Sequence, residues 1–125
     1  MENTGQHVSE NHLRESLITL VVESWRVTRV FERMLLKLDA GEQQRFANQI
    51  RWFFKKVEES MAQAGLRIVN IEGQPYDLGM AVTAVNIDEF NVDDTLLVEQ
   101  MLEPVVMGQE GLVRQGTVRL RRIEQ

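Results

Sequence analysis

The residues with chemistry to offer are mostly carboxylates. Between residues 68 and 111 the chain carries Glu72, Asp77, Asp88, Glu89, Asp93, Asp94, Glu99, Glu103 and Glu110, and no Lys or Arg. A pair such as Asp77 with Asp88 has the groups for general acid and base work, but a run of one sign reads first as a solvated acidic surface. Such a segment repels phosphate, which argues against nucleic acid as a partner and favours a protein with a basic surface. The other common chemistries lack their residues. Without cysteine there is no disulfide framework, thiol nucleophile or Cys-ligated zinc. His7 and His12 have no further ligands beside them and read as solvated imidazoles rather than metal ligands. Residues 88–94 lack the calcium-loop spacing, and no phosphate-cradling Gly-rich loop, G-x-S-x-G elbow or H-E-x-x-H motif occurs. The expectation is a protein that is not an enzyme and takes no cofactor or metal; a small acidic enzyme is a distant third reading.

The elements that carry these groups are set by apolar spacing. Leu13, Leu17, Leu20, Ser24, Val27, Phe31, Met34 and Leu38 repeat at alternating intervals of four and three, the seam of an amphipathic helix. Val21, Thr28 and Leu35 form a flanking row at the same heptad interval, so more than one helix must cover the face. Ser9, or alternatively Asn11, is placed to cap its start, and Asp39-Ala40-Gly41 is expected to end it near Leu38. Over residues 42–64, Phe46, Ile50, Phe53, Val57, Met61 and Ala64 define a second helix, broadened by Ala47 and Phe54 and closed by Gly65. A short connection makes the two helices antiparallel neighbours. Trp25 reads as core, and Trp52, beside the seam, marks an interface edge.

After Gly65 the pattern turns to short β-branched runs: strands are expected at 67–71, 80–85, 95–102 and 112–123. Gly73-Gln74-Pro75-Tyr76-Asp77 forms a turn, residues 88–94 an acidic loop around Phe90, and residues 108–111 a hairpin-like turn; Pro104 ends the third strand. Met80, Met101 and Met107 supply either an adaptable contact surface or ordinary sheet packing. The predicted class is α+β: residues 1–11 a disordered tail, 12–64 an antiparallel helical hairpin that is also a dimerisation region, and 65–125 a small, mostly antiparallel β-domain. With 125 residues, 43% hydrophobic, the chain has material for a modest core. No secretory leader is read ahead of Leu13 and no apolar run is long enough to span a membrane, so the expected location is the cytoplasm.

Five stretches occur in one order: Met34-Leu35-Leu36-Lys37-Leu38-Asp39; Ala64-Gly65-Leu66; Gly73-Gln74-Pro75-Tyr76-Asp77 followed by Ala81-Val82; Val98-Glu99-Gln100-Met101-Leu102; and Gly111-Leu112-Val113-Arg114-Gln115-Gly116-Thr117-Val118. Together they resemble, over about residues 34–120, the GrpE family of nucleotide exchange factors, partners of DnaK-type heat-shock chaperones. The third is similar to that family's G-x-P-F-D turn and A-V, the fourth to its V-E-V-L, and the last to its closing G-R-V-L-R-P-A-x-V. The chain departs from the pattern where the family has H-E before A-V, where Val105-Val106 replaces G-Y, where R-P-A reads Arg114-Gln115-Gly116, and in a much reduced N-terminal shaft.

The resemblance implies a homodimer in which two hairpins form a four-helix bundle and each chain carries its β-domain as a wing. The implied dimer seam is Leu13, Leu17, Leu20, Val27, Phe31, Met34 and Leu38. The implied activity is release of ADP from a DnaK-type chaperone by binding its opened nucleotide-binding domain, with Met80, Val82, Met107 and Arg114 as contacts. Gly65, Gly73, Pro75 and Asp77 would set the shape of the wing. The alternative is a dimeric adaptor of the same fold without exchange activity.

Overall fold

A computed structural model describes residues 9–124: two packed helices followed by two small, mostly antiparallel sheets. Ser9 starts the first helix, α1 (Glu10–Leu35), its hydroxyl accepting the His12 N–H at 3.1 Å. Glu10 and Asn11 are therefore helical rather than part of a tail, while residues 1–8, including His7, lie outside the described residues. The end of α1 also differs from expectation. The helix closes at Leu35, residues 36–38 form a turn, and Asp39-Ala40-Gly41 begins the second helix, α2 (Ala40–Gln63). The Asp39 carboxylate accepts the Glu42 N–H at 2.9 Å, and an Asp followed three residues later by Glu is a helix-start signal. That signal outweighs the stop suggested by Gly41, which is not among the positive-φ glycines.

The bond from the Glu42 backbone N–H holds the Asp39 carboxyl below its ordinary value of 3.8. A depressed folded value contributes stability that is present above the unfolded pKa and is lost as pH falls through the folded one. Asp39→Ala is thus expected to melt below the parent chain at about pH 7. The gap should narrow as pH falls below 3.8 through the folded value, because the ionic part of the cap is then lost from the parent chain. Thermal melts followed by helical circular dichroism check this.

In the hairpin the rings of Trp25 and Phe54 meet edge to face at 5.7 Å, and those of Phe31 and Phe46 at 6.5 Å. Those pairs fix an antiparallel register. The buried α1 residues are Val21, Val22, Trp25 and Leu35, so the covered face follows the row first read as flanking. Leu17, Ser24, Phe31 and Leu38 are half-covered at its edge. Thr28, within the covered row, has a buried hydroxyl oxygen with no hydrogen-bond partner. Thr28→Val, which keeps the shape and removes the unsatisfied group, is expected to raise stability by about 1 kcal/mol, read as a higher urea midpoint at unchanged slope.

The chain divides into two compact units between Ala64 and Gly65. Gly65, with φ +75°, occupies the left-handed conformation that follows a helix end. The second unit holds β1 (Arg67–Val69), β2 (Val82–Ala84), β3 (Leu96–Glu103), β4 (Val105–Gly108), β5 (Gly111–Arg114) and β6 (Gly116–Arg122). One sheet has the order β1-β4-β5, all antiparallel. The other is β2-β6-β3, in which β2 runs parallel to β6 and β3 antiparallel to it. The expected β-domain is built as two sheets, for two local reasons. Pro104 parts β3 from β4, which belong to different sheets, and Gln115 divides the strand expected over 112–123 into β5 and β6.

Val98, Met101, Val106, Val118 and Leu120 form the core of this unit, joined by buried Pro104. Gly116 lies so close to β3 that an added Cβ would stand 2.9 Å from the Glu103 carbonyl oxygen. Asn86, the buried polar residue among the described residues, continues the β2–β6 pairing with its side chain. Its amide Nδ2 donates to the Leu120 carbonyl and its Oδ1 accepts the Leu120 N–H, both at 2.9 Å. No helix among the described residues is long and apolar enough to cross a membrane.

Candidate protein interface

The first surface is on α1. Leu13, Leu20, Val27 and Met34, one residue per heptad, are 59%, 66%, 59% and 59% exposed. Their neighbours in the predicted seam, Leu17, Phe31 and Leu38, are half-covered within the hairpin. Helical geometry explains the split. Covering the face of Val21, Trp25, Thr28 and Leu35 with a single helix turns the row from Leu13 to Met34 aside to water. At its first turn the row borders a recess of about 310 Å³ lined by Glu10, Leu13, Arg14, Leu17 and Ala64. On α2, Trp52 is exposed with the Lys56 ammonium 5.5 Å from its ring centre, and Phe53 is exposed beside it.

The second surface gathers most of the contacts expected in the β-domain. Val82 opens β2 opposite Gly116, and the Gly116 N–H donates to the Ala81 carbonyl at 3.1 Å. Arg114, two residues before Gly116, pairs in register with Val106, the neighbour of Met107. Val82 and Arg114 thus approach one corner through their backbones, with Met107 one strand away; Met80, half-buried, precedes β2. The Arg114 guanidinium lies 3.3 Å from the Glu103 carboxylate, which also accepts the Thr117 hydroxyl at 3.0 Å. Of the three methionines considered, Met101 belongs to the packing alternative. It is fully buried, its sulfur 3.4 Å from the Ile71 backbone nitrogen and its own N–H bonded to Glu72 at 2.7 Å.

Of the residues expected to set the shape, Gly73 and Pro75 act through the backbone and Asp77 through its carboxylate. Gly73 has φ +86° and donates to the Val98 carbonyl at 2.8 Å; Pro75 bridges Leu97, and the Tyr76 N–H reaches the Leu96 carbonyl at 2.9 Å. The 73–76 turn is therefore stitched along β3. Asp77 closes a tight turn by accepting the Gly79 N–H at 2.6 Å.

The third surface has no counterpart in the sequence reading. Residues 75–78 and 87–96 enclose a groove of about 520 Å³, with Tyr76, Leu78, Ile87, Phe90, Val92 and Leu96 among its lining. A 3₁₀ turn (Ile87–Glu89) and a turn closed by Asp94, which accepts the Asn91 N–H at 2.8 Å, hold its far wall. The exposed apolar residues Leu78, Ile87 and Val92 in a polar loop were its available signal. No grouping of three or more His, Cys, Asp or Glu suited to a metal occurs among the described residues. No family model, curated protein or solved structure matches the chain.

Proposed function

We propose that this chain is a GrpE-like co-chaperone. It forms a homodimer through α1, with the paired hairpins as a four-helix bundle, and acts on the opened nucleotide-binding domain of a DnaK-type chaperone through its β-domain. The observation that carries the proposal is the uncovered heptad row of Leu13, Leu20, Val27 and Met34 on a hairpin followed by a separate β-unit. Burying such side chains contributes about 1.5–3 kcal/mol each, and a second copy of the same hairpin is a self-complementary cover. The ordered motifs from Met34 to Val118 add support.

The mechanism needs no bond chemistry. A protein that binds the open chaperone about 10⁴-fold better than the closed form moves a 1:99 balance to 99:1, and ADP leaves from the open form. A fluorescent ADP analogue bound to a DnaK-type chaperone is expected to dissociate faster as this protein is added. No acceleration at saturating protein overturns the exchange reading. The adaptor reading is favoured by the Glu103–Arg114 pair, which occupies the cation expected to contact the chaperone. It requires chaperone binding that is indifferent to ADP.

A further inference from the structure

We infer that the groove between residues 75–78 and 87–96 is a docking site for a protein segment carrying a large apolar side chain flanked by lysines or arginines. The inference stands apart from the exchange reading and from the contacts named for it.

The groove combines an apolar interior with an acidic border. Tyr76, Phe90 and Leu96 belong to its lining, and Leu78 and Val92 stand almost wholly exposed on its two loops. Two neighbouring turns each present an aliphatic side chain to water. At about 520 Å³ the space accommodates one or two large side chains.

The two carboxylates of the lining, Asp77 and Asp94, are committed to the turns that build it. Asp77 accepts the Gly79 N–H, and Asp94 accepts the Asn91 N–H and pairs with Arg122 at 4.0 Å. The rest of the lining is mostly apolar, with the side chains of Tyr76, Asn91 and Thr95 as its uncharged polar groups. Around it, Asp88, Glu89 and Asp93 are exposed on the loop that forms the far wall. The opposing charge at this border is Arg122, already paired with Asp94, and the exposed Arg121 beside it. The field over the opening is therefore negative. It attracts a cationic segment and repels an acidic or fatty-acid ligand. The apolar side chain supplies affinity and the flanking cations supply selection.

The test uses the full chain, ¹⁵N-labelled, titrated with a short capped peptide holding Leu and Phe between pairs of lysines. Amide shifts are expected in residues 75–78 and 87–96. A peptide with glutamates in place of the lysines, and one with serines in place of Leu and Phe, should each bind at least about tenfold more weakly. Added salt should weaken the lysine peptide. Leu78→Lys and Val92→Lys change exposed side chains, so they should leave the spectrum folded and reduce binding by at least about tenfold. Equal binding of the three peptides, shifts centred elsewhere, or no shifts up to about millimolar peptide would each overturn the inference.

Discussion

Leu20→Lys combined with Val27→Lys is expected to turn the protein from dimer to monomer while leaving each chain folded. Both side chains are mostly exposed on the hairpin, 66% and 59%, so a lone chain loses little packing, and surface changes of this kind stay within about 0.5 kcal/mol. In the proposed dimer the same positions lie in a seam. Each lysine would then be desolvated without a partner, at a penalty of several kcal/mol per ion in real proteins. The dissociation constant should rise by at least about a thousandfold, roughly 4 kcal/mol. Sedimentation velocity and the helical circular dichroism of the same samples separate the outcomes. Undiminished dimer affinity removes the row from the interface, and a parent chain that is monomeric at high concentration removes the dimer. Leu17 and Phe31 are poorer choices for this test. They are half-covered within the hairpin, and Phe31 packs on Phe46, so lysine there would unfold the chain as readily as separate two copies.

Asn86→Ala is expected to destabilise the β-unit by about 2–6 kcal/mol, because it leaves both the N–H and the carbonyl of buried Leu120 unpaired, at about 1–3 kcal/mol each. Domains of this size hold about 5–15 kcal/mol in total, so the loss is a large share. The side chain stands in for a strand backbone, answering the donor and the acceptor of one residue on β6. Hydrogen exchange gives the sharpest readout: the Leu120 amide should lose protection, together with its neighbours on β6. Unchanged protection at Leu120 would show that Asn86 does not hold this edge. The hairpin amides serve as an internal control, since α1 and α2 belong to the other compact unit.

The helices were legible because their apolar residues recur at helical spacing, and Gly65 announced the change of pattern with a conformation that favours glycine. The rotation of α1 was not legible in the same way. Two parallel rows, one through Leu20 and Val27 and one through Val21 and Leu35, carry similar residues, and periodicity alone does not say which row a partner helix takes. Strand β4 was hidden by Pro104. Val105, Val106 and Met107 look like the remnant of the preceding strand, whereas they pair with β1 and β5 in another sheet. The break at Gln115 falls beside Gly116, whose close approach to the Glu103 carbonyl is a long-range contact with no local signature. The groove was hidden for a related reason: its walls come from turns separated by β2. Gly73, Pro75 and Asp77 could be read as turn-formers from their types alone; the structure places Gly73 and Pro75 where the 73–76 turn meets β3, and Asp77 in the tight turn that follows.

Strand β6 lies between β2 and β3, yet it follows both along the chain. Asn86 and Leu120, which lock that arrangement, are 34 residues apart. During synthesis the helical hairpin has both its partners early and is able to pair on a microsecond timescale. The second sheet has no such shortcut, because β2 and β3 emerge before the strand that joins them. Until residues 116–122 follow, the edge of β3 that takes β6 is unpaired, while its other edge already has the 73–76 turn. A nascent or truncated chain of that length would carry an exposed, adhesive sheet edge. The order of translation therefore makes aggregation, rather than loss of the helices, the characteristic failure of an incomplete molecule.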